Sequence, residues 1–95
     1  MPSFKLTKPV EYEGKTFDTI NYDLDALTGD DLLTAEMEMT TNGTIAPIID
    51  ISKAYHAGVF ARAAKVDFGF MRKMPAKDFA RATMLVMSFF GGSDL

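Results

Sequence analysis

The stretch FKLTKPVEYEGKTFDTINYDL, residues 4–24, decides how this sequence is read. Phe4, Leu6, Val10 and Tyr12 fall on one face at period two, with Lys8 the exception, the pattern of a strand with one buried side. Glu13-Gly14 then forms a two-residue turn, where glycine supplies the positive φ that such loops require. On the return strand Ile20, Tyr22 and Leu24 keep the period while Phe17 falls out of phase, so a bulge is expected near Asp18. Pro9 has no N–H to give a ladder, which places its strand at an edge or in a bulge. A lone hairpin is marginal in water and must lean on something. The rest of the chain reads as helical and supplies that support.

Thr28-Gly29-Asp30-Asp31 reads as a capping box in acidic form, with Thr28 at the N-cap and two carboxylates where a helix dipole favours them. The helix runs through LLTAEMEM, is expected to bury Leu32, Leu33 and Met37, and stops at Asn42-Gly43. Thr44 is expected to cap a second helix with Pro47 in its first turn. Ile45, Ile48, Ile49, Tyr55, Val59 and Phe60 recur along it at three- and four-residue spacing, and Gly58 is a place to bend or divide it. Asp67 caps a short turn through Phe68 and Phe70. Met74 is extended before proline, and Pro75 opens a last helix from about Ala76 to Phe90 that closes at Gly91-Gly92. The expected fold is α+β: an N-terminal β-hairpin followed by three to four α-helices in a small bundle. One domain spans 1–95, with the hairpin segment in 1–26 and the helical segment in 27–95.

Ninety-five residues with 47 % apolar and 24 % charged side chains have the balance of one globular core. Disorder is not the default. No apolar run approaches the ~20 residues needed to span a bilayer, and the opening MPSFKLTKPVEYEGK lacks the apolar region of a signal peptide. A non-membrane protein of the cytoplasm is expected. Net charge is −3, unevenly spread: residues 23–50 hold seven acids and no base, and residues 51–81 hold seven bases against Asp67 and Asp78. The two blocks are expected to attract, within one subunit or between subunits. A diffuse basic block in an acidic chain argues against nucleic acid.

Little in the sequence supports catalysis. Without cysteine there is no thiolate nucleophile, disulfide or thiolate zinc site. His56 is the only histidine, and beside Tyr55 on an apolar helix it reads as a half-buried structural residue. Asp23, Asp25, Asp30 and Asp31 lack the glycine and terminal glutamate of a calcium loop. Gly91-Gly92 closes a helix, whereas a phosphate loop opens one. The expectation is a non-enzyme with no cofactor and no metal.

The apolar residues point elsewhere. Seven methionines are many for this length, and Met39, Met71, Met74, Met84 and Met87 are expected to be partly exposed, giving adaptable contact surface. From Met84 to Phe90 only Ser88 is polar. Phe79, Ala82, Val86 and Phe90 make one stripe sufficient to seal a core. The remainder, Met84, Leu85, Met87 and Phe89, is expected to bind a partner or another copy of the chain.

The order of these elements resembles the small tail assembly chaperones of long-tailed bacteriophages. The resemblance is carried by Lys8-Pro9-Val10, Glu13-Gly14-Lys15 and Gly29-Asp30-Asp31-Leu32, then by Ala61-Arg62, Asp78-Phe79 and Phe89-Phe90. The family often has an Arg-Pro pair after the hairpin, where this chain has Tyr22-Asp23-Leu24. The resemblance implies a non-catalytic protein that binds the tape measure protein, keeps it soluble and helps recruit tail tube subunits. It further implies action in the cytoplasm of the bacterial host and absence from the mature virion. The competing expectation is a small structural tail or connector subunit, which would be found in purified particles.

Overall fold

The computed structural model describes residues 2–41 and 52–91. Strand β1 (Ser3–Tyr12) pairs antiparallel with β2 (Lys15–Asn21) through the Glu13-Gly14 turn. Both turn residues hold positive φ, 51° and 79°, as a type I′ turn demands of its two central positions; the sequence pointed only to the glycine. Phe4 faces Ile20 and Val10 faces Phe17. Between those pairs the register slips. Leu6, Thr7, Lys8 and Pro9 bulge opposite the single residue Asp18, so the irregularity lies near Asp18 and at Pro9, as expected, with its extra residues on β1. Their excess over β2 is odd, and an odd slip reverses the face on which side chains fall. That is why Phe17 and Ile20, out of phase in sequence, both point at the helices.

A short 3-10 turn, Leu24–Ala26, leads to α1 (Gly29–Thr41). Its capping box closes in both directions: the Asp31 N–H donates to Thr28 Oγ at 3.4 Å, and the Thr28 N–H donates to an Asp31 carboxylate oxygen at 2.9 Å. Thr28→Ala is accordingly expected to cost about 1 kcal/mol in urea unfolding; a variant as stable as the parent would show that the box adds nothing. The buried face of α1 differs from expectation. Ala35 and Met39 are buried and Leu32 partly so, whereas Leu33 and Met37 are exposed. Two contacts set the rotation. Ala35 lies over Gly58, where an added Cβ would stand 3.7 Å from the Ala35 Cβ, and Asp31 binds Arg62 at 2.8 Å. Residues 31, 35 and 39 lie one above another on a helix, so turning them to α2 sends 33 and 37 outward.

Helix α2 (Lys53–Ala64) starts at Ser52, whose hydroxyl accepts the Tyr55 N–H. It runs undivided through Gly58, which serves close approach to α1. The proposed cap at Thr44, the Asn42-Gly43 stop, Pro47 and the isoleucines 45, 48 and 49 lie outside the described residues. Every residue from Tyr55 to Ala61 is buried. The central helix of the molecule is therefore this alanine- and glycine-rich one, with α1 and α4 on its flanks and the hairpin and α3 closing round it. Lys65, in the left-handed region at φ 59°, ends it. Since 3.7 Å is ordinary contact distance, Gly58→Ala is expected to stabilise the protein by up to about 1 kcal/mol through helix propensity. A loss of stability would mean that the α1–α2 approach is tighter than this geometry gives.

Asp67 caps α3 (Phe68–Lys73) by accepting the Phe70 N–H, Met74 is extended, and α4 runs Ala76–Gly91 after Pro75. The hairpin leans on these helices through its aromatics. Phe4 and Tyr22 meet Phe60 of α2 at 5.3 and 5.2 Å between ring centroids, and Tyr12 and Phe17 meet Phe70 of α3 at 5.7 and 5.0 Å. The architecture is the expected α+β fold, with four helices among the described residues.

Candidate functional site

Helix α4 carries the surface singled out in the sequence. Its inward side consists of Asp78, Ala82, Thr83 and Val86, all buried, with Phe79 and Leu85 partly covered. The expected sealing stripe thus holds at Ala82 and Val86, is partial at Phe79 and fails at Phe90, which is 36 % exposed. The last turn of α4 reaches the end of α2 that Tyr55 and His56 occupy. Phe90 covers both rings from outside, at centroid distances of 6.2 and 6.0 Å. His56 itself is wholly buried, not half-buried.

Met84, Met87 and Phe89 are 64, 46 and 42 % exposed, while Leu85 is partly buried against the core. Two shallow depressions bracket these residues. One, of ≈ 390 Å³, is lined by Leu32, Tyr55, His56, Met87 and Phe90; the other, of ≈ 350 Å³, by Arg81, Met84, Leu85 and Ser88. The other methionines divide sharply. Met39, Met71 and Met74 are buried, against expectation, and pack in the core; Met37 stands out from α1 at 68 % exposure beside Leu33 at 63 %. Among the described residues, exposed apolar surface is thus concentrated on the outer sides of α1 and α4.

A polar cluster unmarked in the sequence fixes the root of α4. The buried Asp78 carboxylate accepts the backbone N–H and the hydroxyl of Thr7, at 2.9 and 3.0 Å, and an Arg81 N–H at 2.9 Å. Arg81 also donates to the Lys5 carbonyl at 2.7 Å and lies over the Phe4 ring at 4.3 Å. Thr7, in the bulged part of β1 that lacks a regular ladder, obtains its partner here. Burial pushes the Asp78 carboxyl upward, but Arg81 and the two Thr7 donors outweigh that and hold it below the usual carboxylate range. Asp31 is also lowered, by the Thr28 N–H first and by Arg62. The Tyr12 hydroxyl, donating to Asp67 at 2.6 Å, is pushed up to about 12 by that hydrogen bond. These groups are engaged in holding elements together. The Asp31–Arg62 pair also joins the acid-rich block to the base-rich one within a single chain.

Among the described residues no three His, Asp or Glu side chains converge to hold a metal, and no helix is long and apolar enough to cross a membrane. The geometry provides an apolar, methionine-bearing surface on a firmly anchored helix. The model of the family of phage tail assembly chaperone proteins (E, or 41 or 14) matches residues 3–91. The chain belongs to that family, and its role is in the assembly of phage tails. No curated protein and no solved structure matches it significantly.

Proposed function

We propose that the protein binds the tape measure protein through the outer and terminal part of α4, keeps that long partner soluble in the host cytoplasm, and helps bring tail tube subunits to it. The observation that carries this reading is the exposure of Met84, Met87 and Phe89 on a helix whose inner side already seals the core, with Leu85 extending the surface inward. Large apolar side chains held in water favour aggregation unless a partner covers them. Methionine, unbranched and polarisable, adapts to successive helical segments without reading one sequence. A non-catalytic role accords with this surface, and the protein is absent from the finished particle if the tail tube displaces it.

Coexpression tests it. The parent should keep the tape measure protein in the soluble fraction, and Met84→Lys with Met87→Lys should return it to the pellet. Met84 is mainly in water and Met87 about half so, and the double variant should melt within a few degrees of the parent. A folded double variant that still solubilises the partner would place the binding surface elsewhere.

A further inference from the structure

We propose that Arg81 gives the α4 surface a charge preference: it accepts helical segments of the tape measure protein that carry a carboxylate one turn from a large apolar side chain, and disfavours those that carry a cation there. The inference rests on the reading of α4 as the tape measure surface, and it adds a polar criterion to a contact that methionine alone would leave permissive. Arg81, Met84, Leu85 and Ser88 line one shallow depression of ≈ 350 Å³. Offsets of three, four and seven residues from Arg81 put them on a single side of α4, the arrangement by which one helix receives another. Met84 and Leu85 supply apolar walls, and Ser88 is short enough to let a partner backbone come close. Among the described residues, Arg81 is the only charge that lines this depression.

Unlike an ordinary surface arginine, Arg81 is already held in place. Its Nη2 donates to the Lys5 carbonyl at 2.7 Å and to an Asp78 carboxylate oxygen at 2.9 Å, and the guanidinium lies 4.3 Å from the centre of the Phe4 ring. Those contacts use one nitrogen and one face. The N–H groups of Nε and Nη1 have no protein acceptor among the described residues, and the side chain is 46 % exposed. Asp78 is wholly buried, so the side that meets water presents the cation. A mobile arginine loses side-chain freedom when it pairs, which offsets much of the gain. Here the fold has imposed that loss beforehand, and the remaining donors can give a carboxylate a charge-assisted hydrogen bond. Arg81 and Met84 are about one helical turn, roughly 5 Å, apart along the axis. An apolar residue seated at Met84 and Leu85 therefore brings to Arg81 a residue about three or four positions away on its own helix. A lysine there would meet like charge.

Overlapping peptides of about twenty residues, covering the tape measure protein and titrated onto the intact chain, test this. Those that bind should carry an acid about three or four residues from a large apolar side chain. In the tightest, replacing that acid by its amide should weaken binding about tenfold, and replacing it by lysine should weaken it further. Arg81→Gln should weaken the unaltered peptide by about the same tenfold. Combined with the amide peptide it should add nothing, because both changes remove one contact. An Arg81 that only ties β1 to α4 would weaken acid and amide peptides equally, and that result would overturn the proposal. Circular dichroism checks folding. If Arg81→Gln unfolds, Arg81→Lys, which keeps a charge beside Asp78, takes its place and should show a coupling of about threefold; no coupling would overturn the proposal. Peptides that are released by Met84→Lys with Met87→Lys, yet are indifferent to Arg81, would refute the charge preference alone. A chain that binds no tape measure peptide would refute the functional reading and the preference with it.

Discussion

Phe60→Ala is expected to lower stability by about 4 kcal/mol. Proteins of this size are commonly stable by only roughly 5–10 kcal/mol, so much of the folded population is at stake. Phe60 is fully buried in the middle of α2 and meets both Phe4 and Tyr22 edge-on or tilted. Its removal opens a cavity between the central helix and the hairpin, and a two-stranded hairpin has no other sheet to retain it. Urea unfolding followed by far-ultraviolet circular dichroism measures the loss. A cost below about 1 kcal/mol would mean that the hairpin is held chiefly by the Thr7–Asp78 cluster and not by its aromatics.

Asp78→Ala is expected to cost about 3 kcal/mol, because it leaves the Thr7 N–H without its acceptor and removes the buried end of the Arg81 pair. Arg81 is 46 % exposed and can return to water, which keeps the loss below that of a fully enclosed pair. The same group predicts a pH dependence. A carboxylate whose pKa is lower in the folded state contributes stability that is complete above its unfolded pKa and is lost as pH falls through the folded value. Stability should therefore decline below about pH 4, with Asp78 and Asp31 both contributing, and Asp78→Asn should flatten that decline. Tyr12 acts at the other end. Its raised pKa, about 12, means that its contribution is intact below the usual tyrosine range and disappears as pH climbs toward 12. An acid limb unchanged in Asp78→Asn would remove Asp78 from this account.

Much of the molecule was legible because its signals are local. The turn at Glu13-Gly14, the Thr28 box, the Asp67 cap and the proline before α4 each depend on residues within four positions of one another, where backbone dihedrals and capping geometry leave few options. Pairings between distant parts of the chain were not legible. Asp78 reads as an ordinary first-turn acid until the fold brings Thr7 to it from 71 residues away. The burial of Ala35 in place of Leu33 and Met37 depends on Gly58 admitting α1 closely, and α1 by itself offers two apolar stripes. Although α4 ends in a dense apolar run, α2 holds the central place, because its small residues allow neighbours to approach from several sides.

By itself, then, the sequence determined the kinds and order of elements, the family, and the excess of apolar side chains on the last helix, since propensity, capping and composition are properties of short stretches. Tertiary structure decided which face of each helix meets water. Burial belongs to pairs of surfaces: Asp31 with Arg62 and Ala35 with Gly58 turn α1, and Thr7 with Asp78 anchors α4. Once those pairs are made, Leu33, Met37, Met84 and Met87 have no further core to enter.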